Sequence, residues 1–312
     1  MSYKRVEIYV WWTCNQKCTY CKEFPNMEVM WDTKVSTYDI LKLLIKYKQK
    51  WYDHVSFLWW EPLIQAVFFD ALKIAKKMWF TILVTTNCTT LHLENQASKF
   101  LPYIDELILS MEALDTEKQQ LISRTNAYVN WDLVFKNISK FWNWKMLKSN
   151  IVITKDNLDI LFDLVKESYK NNITEIAITY PDIDIKYYSK EHVMNRIAPS
   201  YSECVKEIWP IIKFCLDNKI RLKLPDFPFC VFGKDKLENY IKMTDDYDYG
   251  TRVNVFRNKK EIDRWDLKEQ KTLPRERQHF DKCNNCKYID MCWGPSKHYD
   301  ILYTLDEINP II

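Results

Sequence analysis

The chain has 312 residues, 47% of them hydrophobic, enough for one large core or two domains. Its formal net charge of +3 gives no general reason to expect nucleic acid or an anionic membrane as partner. No apolar run approaches the roughly 20 residues of a membrane span. The first apolar stretch, Val6 to Trp12, is too short for a signal-peptide core, so a cytoplasmic location is expected.

In chain order, Val6 to Trp12 reads as a strand and Ser36 to Lys50 as a helix with Ile40, Leu41, Leu44 and Ile45 on one stripe. HVSFLWW (54–60) reads as a second strand, followed by Glu61-Pro62 and a helix over Leu63 to Lys77. FTILVTT leads to Asn87 as a third strand, and ELILS ends a fourth at Ser110. NIVIT and EIAIT continue the alternation, with helices over Trp131 to Phe141 and Leu158 to Tyr169. Six β-then-α units predict an α/β fold with a parallel sheet wrapped by helices. Its active site is expected at the C-terminal strand ends. Beyond about Ala198 the rhythm changes. A helix (Glu203 to Asn218) and the short strand IRLKL precede PDFPFC, a polar stretch from Gly233 to Gln278, and KCNNCKYIDMCWGP. Two domains are expected, 1–200 and 201–312, the second smaller and cysteine-rich.

Seven of the ten cysteines fall in CxxxCxxC, CxxCxxxxxC and PFC segments, a pattern of metal ligation rather than of disulfides. Cys88, Cys204 and Cys215 are single and read as buried, inert thiols. Cys14, Cys18 and Cys21 follow the first strand within eight residues. Three thiolates in one loop can hold three corners of an iron–sulfur cube and leave the fourth iron open. Structural zinc instead favours four closed ligands.

CxxxCxxC with Tyr20 before its last cysteine, after a first strand, resembles the radical S-adenosylmethionine (radical SAM) superfamily. FLWWEPL resembles that family's GGEP segment, ILVTTN its TNG segment, and Ser110 with Arg124 its polar pair that contacts SAM. The resemblance implies a partial (β/α)6 TIM-like barrel and a 4Fe–4S cluster on Cys14, Cys18 and Cys21, with SAM chelating the open iron. It implies an electron from a flavodoxin or ferredoxin and reductive cleavage of SAM to a 5′-deoxyadenosyl radical that abstracts hydrogen from substrate. By the same resemblance Tyr20 packs near the adenine, while Trp59, Trp60 and Glu61 with their backbone meet the SAM ammonium. Asn87 belongs to the TNG-like segment, and Ser110 and Arg124 meet the ribose and carboxylate.

Trp59 and Trp60 occupy both glycine positions of the GGEP-like segment. The chain carries 13 Trp and only 3 Gly, although glycine usually supplies about 7% of residues. Trp51 and Trp79 stand where helices end before strands, and Trp293 in CWGP is at a tight turn. These are positions that favour glycine. Glycine at several of these sites, encoded by UGA read as glycine rather than tryptophan, accounts for the pattern. Trp131, on an apolar helical face, reads as genuine. The opposing reading is a truly tryptophan-rich, inactive relative.

Cys283, Cys286 and Cys292, with Cys230 upstream, suit a 4Fe–4S cluster or a zinc ion held by four thiolates. Cys204 or Cys215 could replace Cys230. The spacing resembles the SPASM and Twitch extensions of radical SAM enzymes, which hold auxiliary clusters. Ser296 stands where SPASM regions carry a further cysteine, so a single Twitch-type cluster is expected.

The expected function is oxidative or cross-linking modification of a peptide. The alternatives are a radical SAM dehydrogenase of an alcohol or sugar, and an inactive or zinc-binding scaffold. With no room before Cys14 for a leader-binding domain, a peptide substrate is expected to need a separate recognition protein or direct docking. Neither nucleic acid nor membrane is expected as partner.

Overall fold

The computed structural model describes residues 4–9, 13–21, 35–58, 60–142, 146–183, 185, 188–233, 251–256, 268–270 and 277–312. Nine strands form one sheet: β1 (Lys4–Tyr9), β2 (His54–Phe57), β3 (Thr81–Thr86), β4 (Glu106–Ser110), β5 (Met146–Val152), β6 (Glu175–Thr179), β7 (Arg221–Lys223), β8 (Thr251–Phe256) and β9 (Lys268–Gln270). Their order is β7-β6-β5-β4-β3-β2-β1-β8-β9. All pairs are parallel except β8 with β9. The main helices are α1 (Thr37–Gln49), α2 (Phe68–Lys77), α3 (Glu94–Phe100), α4 (Thr116–Ser123), α5 (Trp131–Phe141), α6 (Leu161–Lys170), α7 (Tyr201–Asp217) and α8 (Tyr299–Leu302). The predicted partial barrel is therefore present. Among the described residues no helix is long and apolar enough to cross a membrane.

Period-two patterning divides the sheet. Val6, Ile8, Val55, Phe57, Ile82 and Val84 are fully buried, and Leu107, Leu109, Ile176 and Ile178 continue the same face. The alternate positions mix polar and apolar residues, Leu58, Leu83, Ile108 and Ala177 among the latter. Arg5, Glu7, Ser56, Thr85, Lys148 and Glu175 line a cavity of about 370 Å³ on the other face. A closed TIM barrel fills its interior with branched apolar side chains. This lumen instead sets charged and polar side chains among apolar ones.

At the N-terminal strand ends, charges alternate across the lumen. Arg5 Nη2 lies 3.4 Å from Glu106, Lys148 Nζ 3.5 Å from Glu106 and 3.2 Å from Glu175, and Lys223 Nζ 2.9 Å from Glu175. Burial opposes ionisation of Glu175, but the Lys223 hydrogen bond and the Lys148 and Lys223 charges outweigh it and hold its pKa below the usual carboxyl value.

Ser36 caps α1 in a capping box with Asp39, and Ser200 caps α7 likewise with Glu203. The expected helix from Leu63 begins later. A 3₁₀ turn (Pro62–Ile64) precedes α2, because Glu61 caps that turn through the Leu63 N–H. The expected helix from Leu158 also starts with a 3₁₀ turn. Strand β7, beyond residue 200, pairs in parallel with β6. Strands β8 and β9 lie in a stretch read only as polar. The alternation in TRVNVF was the available signal, whereas KEQ offers none.

Trp51, Trp60 and Trp79 have left-handed backbones, with φ of 64°, 58° and 58°. Such a conformation costs a non-glycine residue about 1–2 kcal/mol. Trp293 does not share it. The neighbouring Gly294 takes that turn at φ 79°, where a Cβ would lie 2.2 Å from the Gln278 carbonyl oxygen.

Candidate functional site

The loop holding Cys14, Cys18 and Cys21 lies at the C-terminal ends of the strands and is tied down on three sides. Towards β2, the Gln65 side-chain amide donates to the Thr13 carbonyl (2.9 Å) and accepts from the Thr13 hydroxyl (2.8 Å). Towards β3, Asn15 Nδ2 donates to the Thr89 hydroxyl (2.7 Å), and Asn87 Nδ2 to Asn15 Oδ1 (2.9 Å). Towards α4, the Lys17 and Thr19 amides donate to the Ser123 and Ile122 carbonyls (2.8 and 2.9 Å). Arg124, left-handed at φ 52° after α4, donates from Nε to the Lys17 carbonyl (2.5 Å).

The three cysteines line one cavity of about 330 Å³ with Tyr20, Trp60 and Asn87. Ser110, Glu112, Asn150, Thr179, Asp182 and Asp226 complete the parts that matter chemically. Thr85 and Asn150 also wall the polar lumen, so the two spaces adjoin. Burial raises the Cys14 pKa to about 12 and that of Cys18 well above its ordinary value, with nearby Glu61 and Glu112 respectively adding to the shift. Such thiols ionise only against a compensating cation or metal. Among the described residues, no three His, Cys, Asp or Glu side chains already stand at metal-ligand spacing.

Glu61 is fully buried and is not in the cavity wall. Its carboxylate accepts from Leu63 N (3.0 Å), Asn87 N (2.7 Å) and the Thr86 hydroxyl (2.8 Å). Burial raises its pKa to about 7 against the pull of these bonds. It braces the ends of β2 and β3 beneath the pocket. Arg124 likewise holds the loop and does not line the cavity. Trp59 lies outside the described residues.

Tyr20 and Glu112 share a hydrogen bond, and burial raises the Glu112 pKa to about 7. Glu112 Oε1 and Gln16 Nε2 are buried in the pocket wall without hydrogen-bond partners among the described residues. Buried polar atoms ordinarily have partners. An acceptor and a donor aimed at a cavity fit a polar ligand, and three soft thiols fit iron–sulfur ligation with one iron left open.

Sequence reasoning assigned no role to Asn150, Thr179, Asp182 or Asp226. The usable signal was position, since Thr179 ends β6, Asp182 and Asp226 follow β6 and β7, and Asn150 lies in the C-terminal half of β5. Behind Asp182 and Asp226 lies Arg277, its side chain 1% exposed, 3.8 and 3.5 Å from their carboxylates. Its Nη2 donates to the Tyr180 carbonyl (3.3 Å).

Cys230, Cys283, Cys286 and Cys292 line a second, small cavity. Burial, with the neighbouring thiols adding, pushes Cys230 up to about 12. Cys204 and Cys215 are buried on α7 and do not line it. Ser296 is also buried elsewhere, its N–H donating to the Tyr201 hydroxyl at 3.0 Å.

A parallel partial barrel with a thiol loop at its C-terminal mouth defines a class, and the comparisons supply its name. The Radical SAM superfamily matches residues 10–166, half of the chain, and the chain belongs to that superfamily. Membership implies a 4Fe–4S cluster and SAM. Comparison with curated protein sequences finds no match. The fold is similar to that of Streptococcus suis SuiB bound to precursor peptide SuiA, at 16% identity and TM-score 0.55, covering 82% of this chain and 58% of that one. SuiB bound to S-adenosylmethionine gives 15% and 0.54, covering 81% and 56%. Native anSMEcpe with bound AdoMet and Cp18Cys peptide gives 16% and 0.51, covering 72% and 63%. The chain thus spans less than two thirds of the length of these structures, and at such identities the likeness is one of fold.

Proposed function

We propose that this chain is a radical SAM enzyme that oxidises or cross-links a peptide. The observation that carries the reading is the joint placement of Cys14, Cys18 and Cys21 with Tyr20, Asn87, Ser110 and Glu112 around one cavity at the strand ends. Cys14, Cys18 and Cys21 would hold the cluster. When bound, cluster and SAM supply reductive cleavage to a 5′-deoxyadenosyl radical, with a reduced flavodoxin or ferredoxin as electron source. The protein's own residues position and enclose. Gln16 Nε2 and Glu112 Oε1 offer a donor and an acceptor to the ligand, and Ser110 and Asn87 add polar contacts. Glu61 and Arg124 keep the loop in register. Asp182 and Asp226 present carboxylates from the wall after β6 and β7, on the substrate side of the lumen.

Cys230, Cys283, Cys286 and Cys292 would hold an auxiliary 4Fe–4S cluster in the second unit of a 1–200 and 201–312 organisation. Four protein ligands favour electron transfer there over substrate ligation. The peptide substrate is supported by the fold shared with SuiB, whose structure contains a precursor peptide.

The experiment is anaerobic reconstitution followed by dithionite and SAM. About eight irons per chain and release of 5′-deoxyadenosine are expected. Bound zinc with no iron, and no adenosyl product, would overturn the reading.

A further inference from the structure

Six of the described tryptophans, all but Trp293, fall into two populations. Trp131 and Trp142 are 6% and 2% exposed, and each indole N–H donates at 2.8 Å, to the Ala113 and Ile104 carbonyls respectively. Trp209 packs edge-on against Phe232 at 5.8 Å. Trp131 and Trp142 bury their rings and satisfy their donors, and Trp209 puts its ring to use in an aromatic contact.

Trp51 and Trp79 do the opposite. They are 84% and 87% exposed and left-handed. Trp51 N donates to the Lys48 carbonyl and Tyr52 N to that of Tyr47, closing a Schellman motif after α1. Trp79 N donates to Lys76 and Phe80 N to Ala75, closing the same motif after α2. The motif recurs after α6 and α7 with Asn172 and Lys219 at the left-handed position, so the fold requires this backbone at four helix ends. Glycine is the residue that adopts it without strain. Trp60, at φ 58°, presents the same backbone demand in the wall of the thiol pocket.

We propose that positions 51, 60 and 79 are glycine in the working protein, encoded by UGA read as glycine, whereas positions 131, 142 and 209 are tryptophan encoded by UGG. Trp293 is not assigned to the glycine group, because Gly294 already takes its turn. At positions 51 and 79 the inference rests on backbone and burial and stands whether or not the chain performs radical chemistry, whereas the binding test at position 60 rests on the proposed SAM site. Its functional consequence falls on position 60. A glycine there removes an indole from the wall facing the three thiols and lets backbone approach a bound ligand.

The coding DNA and tryptic peptides of the protein isolated from its source cell test the assignment. UGA codons and glycine masses at 51, 60 and 79, with UGG and tryptophan at 131, 142 and 209, are expected. Tryptophan in the peptides covering 51, 60 and 79 overturns the proposal. For protein expressed as printed, Trp51→Gly and Trp79→Gly should each raise Tm by on the order of 2 °C, while Trp131→Gly and Trp142→Gly should lower it by about 10 °C. A fall in Tm for the first pair as large as for the second also overturns it. Trp60→Gly should tighten SAM binding in anaerobic equilibrium dialysis by on the order of tenfold. Unchanged binding overturns the assignment at position 60.

Discussion

The buried carboxylate of Glu61 accepts the backbone N–H of Asn87 at 2.7 Å, tying the end of β2 to the end of β3 beneath the thiol loop. Glu61→Ala leaves that donor, the Leu63 N–H and the Thr86 hydroxyl without their acceptor in a dry site. A loss of about 3 kcal/mol is expected in urea unfolding. Glu61→Gln keeps one acceptor oxygen and should recover part of it.

Cys14, Cys18 and Cys21 act as a set in the proposed cluster. Replacing any one by Ala should cut iron from about eight to about four per chain and abolish adenosyl cleavage, while circular dichroism stays native. Full iron content in the triple variant would remove the assignment.

Cys230 shares a cavity with Cys283, Cys286 and Cys292, whereas Cys204 does not. Cys230→Ser should therefore lose the auxiliary iron, and Cys204→Ala should retain it. Iron analysis with electron paramagnetic resonance separates the two.

Glu175 sits between Lys148 and Lys223. Its pKa is depressed in the folded state, so its stabilisation is fully present above the unfolded carboxyl value of about 4.3 and is lost as pH falls through the lower folded value. Glu175→Gln should cost about 2 kcal/mol at pH 7, and the gap from the parent protein should close on acidification below that range. Parallel urea titrations across pH measure it.

Arg277 brings a buried guanidinium to Asp182 and Asp226. Arg277→Met removes the charge from beside two carboxylates and should destabilise by about 3 kcal/mol. Arg277→Lys should recover part, since it keeps the charge but not the planar fork.

Much of the barrel was legible because short apolar, β-branched runs alternate with amphipathic helical stretches along the chain. ELILS and EIAIT matched β4 and β6 to the residue. Strands β8 and β9 were missed because TRVNVF and KEQ lie in a charge-rich stretch, whose overall polarity outweighed the alternation in TRVNVF. At the site, cysteine spacing marked the two thiol groups, and strand ends marked Asn87 and Ser110. What spacing could not say is whether a polar side chain faces the pocket or braces it. Glu61 and Arg124 were read as ligand contacts, but Glu61 is buried outside the cavity lining and the exposed Arg124 holds the loop at the Lys17 carbonyl, because their direction depends on the caps and turns around them. Asp226 was invisible as a pocket residue until β7 joined the sheet.

The contact between Arg5 on β1 and Glu106 on β4 joins strands separated by two others, on the concave side of the sheet. It works as a tie-rod. Because the two side chains meet from strands that share no backbone ladder, they add a link that the sheet's own hydrogen bonds do not supply. Shortening the tie at Glu106 to Asp draws the carboxylate back from the Arg5 guanidinium and loosens that link across the lumen.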